Sequence, residues 1–300
     1  MTASATTSTG LPSGTCTLVG AGPGDPELLT LKALRAIQSA TVLLVDDLVS
    51  REIVDFASPT ARIIYVGKRG GCKSTPQAFI EKLMEAEVHK GEHVVRLKGG
   101  DPFIFGRGGE EVEHLRRAGI EPHIINGITA GLAGLSSLGA PLTHREHAHG
   151  VVFITGHAKP GDQGTNWRTL AATVQAARLT LVIYMGVSSA EHITAELQAG
   201  GLPAHTPAAI IQHASLPQQR HAITTLEQLA HTLHAENLAS PSVLVIGDVV
   251  QGVAAWAQNS SVRQSACLEW VFMMPPASLT SLPTWPTRRT SAKCSAAAIS

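Results

Sequence analysis

The chain has 300 residues, of which 44% are apolar and 15% charged, and its 23 basic and 23 acidic side chains give a formal net charge of zero. At roughly 100 to 200 residues per domain, this length predicts two domains, each with its own core. The charge balance counts against nucleic acid as the main partner, because proteins that bind nucleic acids usually carry a basic excess. An anionic ligand would have to be met by local clusters of cations.

The cysteines and the hydropathy pattern narrow the class of protein further. The four cysteines are scattered and form no C-x-x-C pair, so neither a disulfide framework nor a thiolate zinc site is indicated. No apolar run approaches the roughly 18 residues of a membrane span. The first 15 residues lack the apolar and basic segments of a signal peptide. We therefore expect a cytoplasmic protein with no membrane segment.

The order of elements along the chain predicts an α/β fold. Residues 1–15 hold eight Ser or Thr and no charge, and residues 251–300 are rich in Pro, Ala and Ser, so both ends are expected to be poorly ordered tails. Between them, short β-branched runs alternate with helix-like stretches, which indicates βαβ units and mostly parallel or mixed sheets. The strand candidates are 16–20, 41–46, 62–67, 93–98, 122–126, 151–155, 179–185, 207–214, 221–225 and 242–246.

Two helices are well marked, and one segment separates two sets of elements. Asp25 can cap the first helix, and apolar residues repeat at helical spacing from Leu28 to Ile37. A second helix is predicted over 75–90. The polar, histidine-rich stretch near 140–150 divides the strands into two groups, so we expect an N-terminal α/β domain over 16–140 and a C-terminal one over 141–250.

The first motif is the glycine-rich turn GAGPGD at 20–25, between a strand and a helix. Such a turn lets the backbone approach a ligand closely. A Rossmann dinucleotide site has the pattern G-x-G-x-x-G, but its third glycine is replaced here by Asp25, whose charge would face a pyrophosphate. Asp46 does lie 26 residues after Gly20, as a ribose-binding acid would. An NAD-type oxidoreductase is therefore disfavoured but stays open.

The second motif is RLKGGDPFIFGRGGEE at 96–111, with five glycines among eleven residues after a predicted strand. Glycines at this density permit close ligand approach and backbone conformations that side chains would block. A flexible linker would be polar and repetitive. This stretch instead places Asp101, Arg107 and two phenylalanines at specific positions, which favours a binding loop.

Together with these two motifs, five further segments identify a family resemblance. They are VGKRGG at 66–71, GITAG at 127–131, APLTHRE at 140–146, TGH at 155–157 and YMG at 184–186. Over residues 16–250 the chain resembles the tetrapyrrole methylase family. The longer motifs are similar to those of the members that act on uroporphyrinogen III, in a form that stands alone rather than fused to other sirohaem-pathway enzymes.

The resemblance implies a two-domain α/β homodimer that binds S-adenosylmethionine in the cleft between its domains. It implies transfer of methyl groups to C2 and C7 of uroporphyrinogen III, giving precorrin-2 for sirohaem or cobalamin. By matching motif positions, the cofactor contacts would be Pro23, Gly99, Gly100, Asp101, Ile104, Thr129, Ala130, Met185 and Ala214. Apolar Ile104 and Met185 could flank the adenine or the methionine chain, although Met185 could equally be part of the core.

The resemblance also implies two catalytic positions. Asp46 would accept the proton that leaves the pyrrole ring, and Lys68 would act as donor. The alternatives are that Asp46 only caps a strand, that Lys68 pairs with a substrate carboxylate, and that positioning alone drives the reaction. The acetate and propionate groups of the substrate would be met by Arg69, Lys98, Arg107 and Arg145, unless these are solvated surface charges.

A metal site is considered at His144, Glu146, His147 and His149 and is not expected. Pro141 and Gly150 closely bracket this segment, and imidazoles without a defined partner are weak indicators of a metal. The match to THRE favours a loop on the substrate side.

One departure from the family pattern is Asn126, where a proline commonly precedes GITA, and this predicts a less rigid loop.

Three alternative functions stay open at this point. They are a methylase acting on a later corrin intermediate, an NAD-type oxidoreductase and a non-catalytic tetrapyrrole-binding module.

Overall fold

A computed structural model of the chain describes residues 14–67, 75–157, 161 and 164–253. The predicted catalytic Lys68, its neighbour Arg69 and nearly all of both predicted tails lie outside these ranges. The ten predicted strands are all present among the described residues, with ends that move by at most two residues. The predicted second helix is also confirmed, as Gln77–His89.

The first sheet has five strands that are all parallel, in the order β3-β2-β4-β1-β5. They are β1 (Thr15–Gly20), β2 (Val42–Val45), β3 (Arg62–Tyr65), β4 (His93–Lys98) and β5 (His123–Ile125), and the helices between them are α1 (Leu31–Ser39), α2 (Arg51–Val54), α3 (Gln77–His89) and α4 (Gly108–Arg117). All four residues of β2 are buried, as expected for a parallel sheet covered on both faces. One face packs against α1 through Ile37, and the other packs against α3 and α4 through Met84 and Leu115.

The second sheet has the order β6-β7-β10-β8-β9, and only its β6–β7 pair is parallel. Its strands are β6 (Gly150–Thr155), β7 (Leu179–Tyr184), β8 (Pro207–Gln212), β9 (Arg220–Thr225) and β10 (Ser242–Ile246). β8 and β9 are joined by the short segment 213–219, which can link only antiparallel neighbours. The expected α/β class with parallel and mixed sheets is confirmed.

The first helix begins later than the sequence predicts. The Asp25 carboxylate does act as a cap, accepting from the Glu27 amide at 2.8 Å, but it caps a short 3-10 turn, Pro26–Leu28. Thr30 then caps α1 itself, since its hydroxyl accepts a hydrogen bond from the Ala33 amide at 3.1 Å. Two caps within six residues therefore replace the single cap that was predicted.

The helix α5 (Ala130–Ser137) follows the last strand of the first sheet but packs on the second. Its Leu135 is buried among Val182, Ile211 and Val245. The opposite face of this sheet is covered by α6 (Trp167–Ala177), α7 (Ala190–Ala199) and α8 (Leu229–Ala235). The predicted domain boundary at 140 falls after α5 and stays a prediction, because both sheets belong to the same compact unit of the chain. None of the helices in the described ranges is long and apolar enough to cross a membrane.

Candidate active site

The strand order of the first sheet creates a crevice beside β1 and β4. From β1 the chain runs through α1 to β2 on one side, and from β4 it runs through α4 to β5 on the other. In open parallel sheets, ligands bind outside the carboxyl ends of the strands where the direction of winding reverses in this way. The two glycine-rich motifs follow β1 and β4, so the fold brings both to this crevice.

The backbones of three loops meet here at very short range. The Gly22 amide donates to the Gly100 carbonyl at 3.1 Å, and the Gly100 amide donates back to the Gly22 carbonyl at 2.7 Å. A Cβ atom on Gly127 would lie 2.2 Å from the Gly100 carbonyl oxygen. Since real Cβ atoms do not approach so closely, glycine is required for the loop after β5 to reach the loop after β4.

Asp101 anchors these loops to one another. Its carboxylate accepts hydrogen bonds from the Phe103 amide at 2.8 Å and from the Gly127 amide and the Asn126 side-chain amide at 3.1 Å each. The residue is only 8% exposed. The family resemblance predicts that Asp101 contacts the cofactor, and the structure gives its carboxylate the additional task of holding the GITAG loop. Asn126 contributes one of the three donors, so it ties the loop down where rigidity was expected to be lost.

The turn after β1 also contacts the second half of the chain. The Asp25 amide donates to the Ser215 hydroxyl at 3.2 Å. This places the segment around Pro23 next to the loop that carries Ala214, which is buried. Two predicted cofactor positions separated by about 190 residues are thereby brought near each other.

Several loops near these positions hold non-glycine residues in the left-handed region. Phe105, Arg107, Met185, His213 and Ser215 have φ angles between 52° and 68°. Such conformations cost about 1–3 kcal/mol each and concentrate at ligand-binding sites. Met185 is 47% exposed at the end of β7, so it is not a core residue. The sequence gives little sign of these positions, because only His213 is of a residue type that is enriched at positive φ.

Asp46 directly follows β2 at the same edge of the sheet. Its side chain is 35% exposed, and its Oδ2 lies 3.6 Å from Arg96 Nη2. The carboxylate thus has solvent on one side and a buried guanidinium on the other. Asp46 therefore lies at the edge where the glycine-rich loops meet, and its role as proton acceptor stays a prediction.

Behind Asp46 lies a buried cluster of three charges: Arg96, Lys98 and Glu111. Glu111 Oε1 accepts hydrogen bonds from Arg96 Nε at 3.1 Å and from Lys98 Nζ at 3.2 Å. All three side chains are at most 2% exposed. Burial lowers the pKa of Lys98, and the neighbouring Arg96 lowers it further. Lys98 faces Glu111 rather than open solvent, so the alternative that it is a solvated surface charge is wrong. Its predicted contact with a substrate carboxylate stays a prediction.

The two other predicted substrate-binding cations that the structure describes, Arg107 and Arg145, are open to solvent. Arg107 pairs with Glu110, with both carboxylate oxygens about 3 Å from its Nε, and is 54% exposed. Arg145 is exposed in the tight turn closed by the His144–Ala148 bridge. Both guanidinium groups are accessible, as binding of a substrate carboxylate requires.

The turn that holds Arg145 also brings together His144, Glu146 and His147, whose potential ligand atoms lie within 4.8 Å of one another. All three are exposed, and the two imidazole rings stack with centroids 4.6 Å apart. The Glu146 amide lies 3.2 Å from His144 Nδ1, which engages one of the ring nitrogens. These are three of the four residues that the sequence analysis considered as a metal site without expecting one, and the tight turn brings them together. That no metal is needed stays a prediction.

The remaining predicted cofactor contacts surround α5 and the loop after β4. Thr129 precedes α5 and its Cα lies 3.7 Å from where a Gly100 Cβ would be. Ile104 is half-buried in the loop after β4, and Ala130 is the first residue of α5. Gly99 lies against Leu48. Tyr184 connects this region to the second sheet. It was not predicted as a site residue, and its only signal in the sequence is its position in the YMG motif.

Comparison with known proteins identifies the family. Residues 15–230 match the model of the Tetrapyrrole (Corrin/Porphyrin) Methylases. The chain belongs to the tetrapyrrole methylase family. The predicted resemblance is therefore confirmed over most of the described residues.

Three relatives of this tetrapyrrole methylase illustrate the similarity. A uroporphyrinogen-III C-methyltransferase from Pseudomonas aeruginosa is 51% identical over 243 residues, which cover 81% of this chain and 97% of the relative. Siroheme synthase 1 from Aeromonas hydrophila is 48% identical over 79% of this chain and 50% of its own length. The crystal structure of a Thermus thermophilus uroporphyrin-III C-methyl transferase, complexed with S-adenyl homocysteine, is 39% identical with a TM-score of 0.67, covering 79% of this chain and 99% of that one.

Proposed function

We propose that this chain is an S-adenosylmethionine-dependent methyltransferase that adds methyl groups to C2 and C7 of uroporphyrinogen III, giving precorrin-2. The observation that carries the proposal is the meeting of the loops after β1, β4 and β5 at one crevice, formed by the motifs shared with this family. The near full-length similarity to a relative named for this activity supports it.

The described residues fit such a cofactor. Gly99 and Gly100 offer backbone groups without side chains at the crevice, and Thr129 lies beside them. Ile104 and Met185 offer apolar surface for an adenine ring or a methionine chain. When bound, the cofactor would supply the methyl group, and the protein would contribute orientation and exclusion of water.

For the substrate, the proposal assigns the exposed guanidinium groups of Arg107 and Arg145 to acetate and propionate groups. Arg69 and Lys68 keep their predicted roles as substrate contact and donor. Asp46 keeps its predicted role as proton acceptor, held next to Arg96. A cytoplasmic homodimer that needs no metal completes the proposal, supported by the scattered cysteines and by the family resemblance.

The test is anaerobic incubation of the purified protein with uroporphyrinogen III and S-adenosylmethionine, followed by mass spectrometry of the tetrapyrrole. We expect a gain of two methyl groups, unchanged by a chelator and abolished by excess S-adenosylhomocysteine. Cofactor binding without any methyl gain would move the substrate to a later corrin intermediate. Binding of the tetrapyrrole without cofactor consumption would indicate a non-catalytic binding module instead.

A further inference from the structure

The hydroxyl group of Tyr184 joins the second sheet to the start of α5. The Tyr184 hydroxyl lies 2.6 Å from the Thr129 hydroxyl and accepts a hydrogen bond from the Gly131 amide at 2.7 Å. We propose that Tyr184 is a positioning residue for the cofactor site, and that its hydroxyl holds the N-terminus of α5 so that Thr129 and Ala130 face the cofactor. This inference rests on the proposed function.

The hydrogen bonds at the start of α5 show why a distant tyrosine is needed. Thr129 is the N-cap residue and has extended backbone angles, but its hydroxyl makes no capping bond to α5. A threonine at this position normally accepts from the second or third amide of the helix. Here the second amide, that of Gly131, is taken by Tyr184, and the Thr129 hydroxyl bonds to the same oxygen. The conformation of Thr129 is therefore set from the second sheet.

The second glycine of the GITAG motif, Gly131, is required by the same contact. A Cβ atom on Gly131 would lie 2.3 Å from the Tyr184 hydroxyl oxygen. A side chain at this position would have to displace the Tyr184 hydroxyl, so we expect it to disturb both hydrogen bonds. The motif on α5 and the YMG motif on β7 are therefore complementary parts of one contact.

The ring of Tyr184 also packs against the loop after β4. Its centroid lies 4.9 Å from that of Phe105, which follows the predicted cofactor contact Ile104. Phe105 has a φ of 54°, so its backbone is held in the left-handed region while its ring packs on Tyr184. On the chain itself, Tyr184 immediately precedes Met185. One side chain thus contacts or adjoins the segments that carry Ile104, Thr129, Ala130 and Met185.

The chemistry of the phenol suits a fixed hydrogen-bonding group. Burial raises the pKa of Tyr184, so the hydroxyl stays protonated at neutral pH and can accept from Gly131 while donating to Thr129. A neutral hydroxyl that makes two hydrogen bonds is occupied by its protein partners, which suits a group that fixes geometry. The role is therefore one of positioning.

The test uses Tyr184→Phe, which removes the hydroxyl and keeps the ring against Phe105. We expect hydrogen–deuterium exchange at the amides of 129–133 to become about tenfold faster, because the first turn loses its cap. We also expect the Kd for S-adenosylhomocysteine, measured by calorimetry, and the KM for S-adenosylmethionine to rise about tenfold. The kcat at saturating cofactor should change by less than about twofold. Gly131→Ala should shift these quantities in the same direction.

The matched control is Thr206→Val. It removes a buried hydroxyl that donates to the Pro203 carbonyl at 2.6 Å. Thr206 precedes β8, so it lies at the opposite end of that strand from the loop that carries Ala214. This variant should leave amide exchange at 129–133 and cofactor affinity unchanged.

Three outcomes overturn the inference. Unchanged exchange at 129–133 in Tyr184→Phe would show that the hydroxyl does not hold the helix. Faster exchange with normal S-adenosylhomocysteine affinity would leave a structural contact with no role in cofactor binding. A wild-type protein that does not bind S-adenosylhomocysteine would refute the proposed function itself. The wild-type titration therefore separates the two failures.

Discussion

Lys98 and Glu111 form an ion pair of 3.2 Å in which both side chains are buried, at 2% and 0% exposed. Arg96 shares the same Glu111 oxygen at 3.1 Å and extends towards Asp46. Two cations and two carboxylates are thus connected in series, from the buried Lys98 to the partly exposed Asp46. Since the charges balance only as a set, removing one member should affect both stability and the site.

Glu111→Gln should destabilise the fold, because Arg96 and Lys98 would remain buried without their shared counter-charge. Breaking a buried ion pair in this way typically costs about 3–5 kcal/mol. The free energy of unfolding, measured with urea, should fall by that order. Glu113→Gln is the control, since Glu113 is exposed on the same helix, and should change stability by less than about 0.5 kcal/mol. Equal losses in the two variants would contradict the importance of the buried cluster.

Asp46→Asn should lower turnover by about 100-fold or more if Asp46 accepts the ring proton, because an amide keeps the shape of the group but not its basicity. The measurement is kcat for methyl transfer under anaerobic conditions, with the substrate KM determined in parallel. Asp47→Asn, at the exposed neighbouring position, is the control and should retain most activity. Near-normal turnover of Asp46→Asn or Asp46→Ala would remove the base hypothesis and leave positioning as the source of catalysis.

Arg107→Ala should raise the KM for uroporphyrinogen III by about tenfold or more and leave the KM for S-adenosylmethionine within about twofold. The expected cause is loss of a carboxylate partner from an exposed loop next to the crevice. Arg116→Ala is a close control, because Arg116 is similarly exposed and pairs with Glu121 through both carboxylate oxygens. A larger effect on the cofactor KM than on the substrate KM would show that Arg107 contributes to cofactor binding rather than to substrate binding.

Cys16 should make stability depend on alkaline pH. Burial raises the pKa of the Cys16 thiol to about 12, and Glu111 adds to the rise. The unfolded chain loses this proton near pH 9. The stabilising contribution is therefore complete below pH 9 and lost as the pH rises towards 12. Between about pH 8 and about pH 10.5 the wild type should lose more unfolding free energy than Cys16→Ala. The same pH dependence in both proteins would contradict this assignment.

Local pattern was sufficient for much of the fold. The ten strands among the described residues follow from β-branched runs bounded by turn residues, because pattern and propensity act over a few neighbouring residues. The first helix was misplaced because Asp25 and Thr30 are both good caps, and the sequence alone does not say which one begins the longer helix. The packing of α5 on the second sheet was also beyond local pattern, since it depends on which sheet offers a complementary apolar face.

The candidate site likewise combines features that the local sequence predicts with features that depend on the tertiary structure. The sequence by itself determined which motifs are present, that they follow strands, and that they belong to one family, since each motif is a local arrangement of residues. Only the tertiary structure decided that Lys98 is buried against Glu111 while Arg107 is exposed, and that Asp101 and Tyr184 tie separate loops together. The physical reason is that burial and pairing depend on strand order and on contacts between residues far apart in the chain, to which no local spacing responds.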